Sequence, residues 1–138
     1  MSPQRSPSKS KMILGANHVE ETSMVDKWLE EIKQNADSEK LGMILIHNGI
    51  VRSTSKSGNP VRAMKLSYDQ KRLDSVVPIF KQRPGVLEVK VWINSGALNV
   101  GDNIMFLLVA GRFKTDVLPT FEELLSLIKS EIVTEEEV

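Results

Sequence analysis

Four cationic side chains stand where predicted segments of this chain end, and they carry its best candidate chemistry. Arg52 follows one apolar segment, Arg112 and Lys114 follow another, and Lys129 lies near the end of an amphipathic segment. Guanidinium and ammonium groups bind phosphate and carboxylate groups well, so four of them converging would form an anion-binding site. Surface charge is nevertheless the default state of lysine and arginine, and a lysine near a helix C-terminus is favourable for the helix dipole alone. The residues by themselves therefore leave two alternatives open, an anion-binding site and ordinary surface charge.

The two histidines, His18 and His47, give little support to a metal site. They lie in different segments, and no carboxylate stands at ligand spacing from either. A structural or catalytic zinc site needs more ligands than these, so we expect neither a metal nor another cofactor. His47 precedes Asn48 and Gly49, and we expect its ring to form a local hydrogen bond at an irregularity of a strand.

Two further motifs are weak. The serines of residues 53–57 have no accompanying base, which a serine nucleophile requires. The spacing Gly96-x4-Gly101-Asp102 lacks the Lys-Ser/Thr pair and the strand-to-helix context of a phosphate-binding loop, so it favours a turn.

Composition limits the class of protein. The 138 residues, 41% of them hydrophobic, suggest a single domain with an ordinary core. Lysine plus arginine and aspartate plus glutamate both number 18, and this balance predicts no nucleic-acid or membrane partner. The absence of cysteine excludes disulfides, thiolate ligands and cysteine nucleophiles, and it fits a cytoplasmic protein. No apolar run approaches the roughly 20 residues that cross a bilayer.

The stretch of residues 89–109 organises the predicted fold. Two apolar runs, residues 89–93 and 104–109, flank a centre rich in Gly, Asn and Asp. β-Branched and aromatic residues suit strands, whereas Gly, Asn and Asp tolerate turn dihedrals. We predict two strands joined by a compact excursion, the second of them central in a sheet and covered on both faces.

The preceding half of the chain shows alternating helix and strand patterns. Residues 12–14 predict a short strand ended by Gly15 and Asn17, after which Thr22 or Ser23 caps a helix. That helix is indicated by apolar residues at i, i+3, i+4 and i+7, which are Val25, Trp28, Leu29 and Ile32. Residues 41–46 predict a buried strand that is interrupted at 47–49 and resumes at 50–52, and residues 53–60 predict a mobile loop.

Two more helices complete the predicted elements. Asp69 caps a helix that Pro78 should kink or end, and Asp116 caps the last helix, with Pro119 in its first turn. Interleaved helices and strands with hairpin-like joins favour an α+β fold. We expect a disordered tail over residues 1–11, a folded domain over 12–133 and a solvated acidic tail over 134–138.

Two segments resemble the large (catalytic) subunit of molybdopterin synthase. Residues 42–53, GMILIHNGIVRS, are similar to the family strand G-A-x-x-x-F-x-G-x-V-R-x, and residues 89–102 to the segment V-x-V-x-H-R-x-G-x-L-x-x-G-D. The similarity extends over about residues 13–132, and the chain is identified as a divergent member. The resemblance implies an α+β fold of the α/β-hammerhead type, with an antiparallel or mixed sheet and about three helices, in a homodimer.

The resemblance also implies an activity and two binding partners. The family transfers two sulfurs to cyclic pyranopterin monophosphate and so makes the dithiolene of molybdopterin. The sulfur arrives as the C-terminal thiocarboxylate of a small ubiquitin-like sulfur-carrier subunit. Since this chain has no cysteine, any sulfur it transfers must come from such a partner.

Residue by residue, the resemblance implies one catalytic and three substrate-binding positions. Lys129 matches the lysine thought to be catalytic, and Arg52 matches an arginine that binds the substrate anion. The second His-Arg pair of the family falls on Phe113-Lys114, so Lys114 keeps the charge and the imidazole is lost. Arg112, nearby, would substitute in part.

Other departures fall at the same implied site. The first His-Arg pair of the family is replaced by Ile93-Asn94, and Glu136 stands in the region of the P-x-W-K-K/R-E motif, where a lysine is expected. Two interpretations follow. In one, the chain is a divergent sulfurtransferase that works with the remaining cations. In the other, it is a non-catalytic relative that keeps the fold and binds its dimer partner or the carrier subunit.

Overall fold

The computed structural model of the chain describes residues 14–35 and 37–138. Most of this part forms helices and strands, interrupted by one 3-10 turn and one π-helical turn. In chain order they are α1 (Leu14–Lys33), the 3-10 turn (Ser38–Lys40), β1 (Met43–Ile50), β2 (Ala63–Tyr68), α2 (Gln70–Lys81), β3 (Val86–Ile93), β4 (Gly96–Asn99), β5 (Asn103–Gly111), α3 (Lys114–Leu127), the π-helical turn (Ile128–Ile132) and β6 (Val133–Glu137). The tail predicted over residues 1–11, and residues 12 and 13 of the predicted first strand, lie outside the described residues.

The described strands form two antiparallel sheets of three strands each. One has the order β1-β5-β3 and the other the order β4-β2-β6. With three α-helices in the same part of the chain, this arrangement confirms the predicted α+β class.

The central strand of the first sheet is covered on both faces, as its sequence predicts. Leu107 and Val109 are fully buried in the large core beneath α2 and α3. Leu108 and Ala110, which point to the opposite face, are fully buried in a smaller cluster against α1. Burial of a leucine or valine side chain stabilises the fold by about 1.5–3 kcal/mol, so β5 anchors both layers of helices.

The excursion between β3 and β5 contains a strand, β4, that the sequence pattern did not indicate. β4 leaves the first sheet and pairs with β2 in the second, with Met64 opposite Leu98. Gly96 and Gly101, at the two ends of this excursion, have φ angles of 114° and 93°. Glycine is the residue that adopts such angles without strain, so these two positions let the chain cross between the sheets.

The prediction for the N-terminal segment is wrong in two respects. Leu14 is helical rather than part of a strand, and Thr22 and Ser23 lie inside α1 rather than at its cap. The longer helix makes a tertiary contact, in which Oε1 of Glu21 accepts a hydrogen bond of 2.7 Å from Nδ2 of Asn103. Such contacts stabilise turns that local capping signals would leave out.

The cap predicted for α2 is formed, whereas the cap predicted for α3 is not. Asp69 caps α2, since its Oδ1 accepts a 3.0 Å hydrogen bond from the amide of Arg72. Pro78 was predicted to kink or end the helix, and it does not end it, because α2 continues through Pro78 to Lys81. Proline removes one donor there, and Pro78 itself is exposed to solvent. Asp116 is not a cap, because α3 begins at Lys114 and Asp116 lies within its first turn.

The remaining segments contain backbone pairing that their sequence patterns did not indicate. β1 continues through residues 47–49, and the predicted irregularity is a shift of register between Gly49 and Ile50. In residues 53–60, Thr54 and Pro60 form an isolated β-bridge. Residues 134–137 of the predicted acidic tail belong to β6, whose side chains are exposed while its backbone pairs with β2. None of the helices described here is long and apolar enough to cross a membrane.

Candidate functional site

The four predicted cations do not converge within one chain. Arg52 lies just beyond the end of β1, where the amide of Val51 donates a 3.0 Å hydrogen bond to the carbonyl oxygen of Asp102. Arg112 lies beyond the other end of the same strand pair, directly after Gly111. At about 3.3 Å per residue, the 8 residues of β1 span roughly 25 Å, and the two arginines lie beyond its two ends. The structure therefore separates Arg52 from a first group that contains Arg112 and Lys114, and Lys129 belongs to a second group.

The first group consists of Arg112, Phe113 and Lys114 at the start of α3. Nε of Arg112 lies 3.6 Å from Oδ2 of Asp116, and its guanidinium carbon lies 5.6 Å from the centre of the Phe113 ring. Phe113 is 62% exposed, and the side chain of Lys114 is exposed as well. This end of the molecule thus presents two cations and an aromatic ring to solvent, with one cation partly neutralised by a carboxylate.

The second group includes Lys129 and His47. Helix α3 begins beside Arg112 and packs along β1 and β5, and the ring centres of Phe121 and His47 are 6.1 Å apart. Lys129 follows in the π-helical turn with its side chain exposed. Burial of the imidazole and the positive charge of Lys129 both lower the pKa of His47, with burial the larger cause. Both effects favour the neutral form of the His47 imidazole.

The alternation of β1 explains why His47 meets α3. Ile44 and Ile46 pack against the smaller cluster beneath α1, whereas Met43 and Leu45 pack against the large core. Side chains two residues apart share a face of a strand, which places His47 on the α3 side. The expected local hydrogen bond is not formed, since no hydrogen bond of the His47 ring occurs among the described residues. The alternation of side chains between the two faces of β1, over residues 43–47, could have predicted this contact from the sequence.

Two of the departures from the family pattern have structural roles. Ile93 is buried in the large core opposite Met105. Nδ2 of Asn94 donates a 2.9 Å hydrogen bond to the carbonyl oxygen of Asn103, which ties the end of β3 to the start of β5. These residues hold the sheet together and bring no cation to the site.

Glu136 lies on the edge strand of the second sheet. It stands opposite Lys65 in the register of β6 and β2. Both side chains line an open groove of about 360 Å³, with Gly96 and Ala97 on its far side. The anion that replaces an expected lysine therefore has a cationic neighbour on the adjacent strand.

His18 and Asp102 form a further pair that the sequence did not indicate. Nε2 of His18 lies 3.2 Å from Oδ1 of Asp102, and Oδ2 of Asp102 accepts a 2.7 Å hydrogen bond from the amide of Asn99. The 84 residues that separate His18 from Asp102 gave no sequence signal for this pair. Among the described residues, no group of three or more histidine, aspartate or glutamate side chains is placed to hold a metal ion.

Comparisons with known proteins agree with this architecture. The model of a family described as "MoaE protein" matches residues 19–131. No curated protein matches the chain.

Several solved structures share the fold. A molybdopterin synthase from Staphylococcus aureus is 19% identical, covering 72% of this chain and 76% of that one, with a TM-score of 0.63. A MoaE protein from Burkholderia ambifaria is 20% identical over 83% of this chain and 81% of that one, with a TM-score of 0.64. A complex of subunits 1 and 2 of the molybdopterin-converting factor from Helicobacter pylori is 14% identical over 84% of this chain and 76% of that one, with a TM-score of 0.67.

Proposed function

The chain belongs to the MoaE protein family, and from this membership we propose that it serves as the large subunit of a molybdopterin synthase in molybdenum cofactor biosynthesis. In this role it transfers sulfur to cyclic pyranopterin monophosphate. The observation that carries the proposal is the extent of the family match. Residues 19–131 include β1, β5 and α3, the elements that position Arg52 and Lys129.

Lys129 is the proposed catalytic residue. Its side chain is exposed and forms no ion pair with a carboxylate among the described residues, so a substrate carbonyl can approach its ammonium group. A fixed positive charge stabilises the oxyanion that develops when an acyl group is attacked. Arg52, exposed beyond the end of β1, is the proposed ligand of the substrate phosphate.

The proposed sulfur donor is a small ubiquitin-like carrier subunit that ends in a thiocarboxylate. The related Helicobacter pylori structure holds two different subunits of a molybdopterin-converting factor, which supports a two-subunit enzyme here. The chain contains no cysteine, so the sulfur has to be supplied by a partner. We propose that the reaction takes place in the cytoplasm, a location that the absence of cysteine fits.

A homodimer is the proposed state of the chain. Arg112 and Lys114 lie at the opposite end of the strand pair from Arg52. A second copy packed in the reverse direction would bring its Arg112 and Lys114 toward the Arg52 end of the first. Two-fold symmetry would create two such composite sites.

Reconstitution is the decisive experiment. The purified chain, a thiocarboxylated carrier and cyclic pyranopterin monophosphate should yield molybdopterin, and Lys129→Met should not. Lys71→Met, which removes an exposed lysine of α2, is the matched control. Absence of product under conditions where a standard large subunit turns over would contradict the proposal. Retention of the carrier in a pull-down would then identify a non-catalytic carrier-binding relative.

A further inference from the structure

The loop of residues 53–60 closes as a β-hairpin with a defined register. Thr54 and Pro60 form an antiparallel bridge across it. On the side away from the tip of the hairpin, the amide of Val61 donates a 2.8 Å hydrogen bond to the carbonyl oxygen of Ser53. The two sides of the loop are therefore held in antiparallel pairing down to residues 53 and 61.

This register places Arg62 opposite Arg52. The two arginines come directly after the bonded pair of Ser53 and Val61, one position further from the tip of the hairpin. Side chains at opposite positions of antiparallel strands begin about 4.5–5.5 Å apart. The strands part at this point, because the amide of Arg62 donates a 2.8 Å hydrogen bond to the carbonyl oxygen of Val138 instead. The two long side chains therefore start close enough for their guanidinium groups to reach one anion.

The alternation of side chains turns both arginines toward solvent. Val51 and Val61, the residues that directly precede them, are both buried in the fold. Successive side chains of an extended segment point in opposite directions, so the arginines that follow point away from the core. Both Arg52 and Arg62 are exposed. Their shared face is thus open to a ligand that arrives from solvent.

Neither of these guanidinium groups is neutralised within the part of the chain that the structure describes. No carboxylate there forms an ion pair with Arg52 or Arg62, whereas the other three described arginines each pair with one. Asp102 lies nearby along the backbone, but its carboxylate is engaged by His18 and by the amide of Asn99. Like charges at opposite positions of paired strands repel each other, and an anion bound between them removes that repulsion.

We propose that Arg52 and Arg62 together hold the phosphate group of the substrate, with Arg62 as a binding residue outside the four cations that the sequence singled out. This inference rests on the proposed function, in which Arg52 is the phosphate ligand. Each guanidinium presents a planar fork of N–H donors that matches the oxygens of a phosphate group. Two forks on one phosphate satisfy more of its oxygens than one fork does, and they fix its orientation.

The kinetic test uses the full chain with the thiocarboxylated carrier. Arg62→Gln removes one guanidinium, and Arg62→Lys keeps the charge without the planar fork. We expect Arg62→Gln to raise the KM for cyclic pyranopterin monophosphate by about 10- to 100-fold, as for a lost hydrogen bond to a charged group. The value of kcat should change little, because the phosphate is bound equally in the ground state and the transition state. Arg62→Lys should give an intermediate KM.

The matched control is Lys71→Gln, which removes a positive charge from an exposed position of α2 and should keep both constants. Since Arg62 is exposed, Arg62→Gln should also keep the melting temperature of the unsubstituted chain. If the unsubstituted chain makes product and Arg62→Gln keeps its KM, the role of Arg62 is overturned while the proposed function stands.

A titration with inorganic phosphate needs no turnover. The NMR signals of the Nε–H groups of Arg52 and Arg62 should move together with a single Kd, and Arg62→Gln should weaken the response of Arg52 by about 10-fold or more. Signals that do not move, or that move with different Kd values, would overturn the shared site. If both signals move together but the unsubstituted chain makes no product, the proposed function fails and the two arginines form a site for free phosphate.

Discussion

Arg52 and Arg112 lie beyond opposite ends of one antiparallel strand pair, β1 and β5. Met43 stands opposite Gly111 at one end, and Ile50 stands opposite Asn103 at the other. The strand between them spans roughly 25 Å at about 3.3 Å per residue, which exceeds the reach of two arginine side chains toward a common small anion. One chain therefore contributes its cations to two different places.

The first prediction concerns complementation between copies. Arg52→Ala and Lys114→Ala should each abolish most of the activity, because each removes a cation from the composite site. Mixing the two variants after mild dissociation should restore a substantial fraction, since the mixed dimer contains one intact site. The measurement is molybdopterin formation before and after mixing. If each site were built within a single chain, mixing would yield no more than the sum of the two residual activities.

The second prediction concerns the size of the Lys129 effect. Lys129→Met should lower the turnover rate by about 100- to 1,000-fold, which is typical for the loss of one group that stabilises an oxyanion. The residue is exposed, so thermal unfolding should change little. Steady-state rates and melting curves of this variant and of Lys71→Met provide the comparison. Equal rates for the two variants would remove Lys129 from the reaction.

The third prediction is a pH dependence of stability. The pKa of His47 is lowered in the folded chain, so the unfolded state binds the proton more tightly. Its contribution to stability is complete above the ordinary histidine value of about 6.5 and is lost as the pH falls through and below that value. Urea unfolding at several pH values should show a smaller loss on acidification in His47→Phe than in the unsubstituted chain. A steeper loss in the variant would contradict the sign.

The fourth prediction tests the contact between β1 and the end of β5. A Cβ atom on Gly42 would lie 2.1 Å from the carbonyl oxygen of Arg112. Backbone cannot give way as a flexible side chain does, so Gly42→Ala should lower the free energy of unfolding by about 1–3 kcal/mol. Gly49→Ala is the control, since its added carbon would lie no closer than 3.4 Å to a neighbouring atom. Equal destabilisation by the two variants would argue against the clash.

The fifth prediction concerns Asp102, a carboxylate that is only 7% exposed. Asp102→Ala would remove the acceptor of the Asn99 amide and the partner of His18. Leaving a buried donor unpaired costs about 1–3 kcal/mol, and chemical denaturation should show a loss of that size. Asp26→Ala, at an exposed position of α1, should be nearly neutral. A neutral Asp102→Ala would mean that water replaces the carboxylate.

Several parts of the fold followed from local patterns. The run of apolar residues in β5 predicted a strand covered on both faces, because a strand buried on one face would alternate with polar residues. Asp69 predicted the start of α2, because a capping carboxylate accepts a hydrogen bond from an amide that is close to it in sequence. Family membership was likewise visible in two short motifs, since this chain retains their glycine, aspartate and apolar positions.

Other parts depended on contacts that no local pattern contains. The extra turns of α1 include a hydrogen bond between Glu21 and Asn103. The chain reaches β4 in the second sheet through Gly96 and Gly101, whose φ angles are positive. Pro78 was expected to kink or end a helix, and it does not end α2, because the buried face of that helix outweighs one lost hydrogen bond.

The sequence by itself determined which side chains are available: four cations at the ends of elements, an imidazole on β1, and no thiol. Only the tertiary structure decided how they are grouped. The antiparallel register of β1 and β5 separates Arg52 from Arg112, and the packing of α3 on the sheet brings Phe121 to His47. Residue types are local properties, whereas electrostatic partners are set by packing between segments that are distant in the chain.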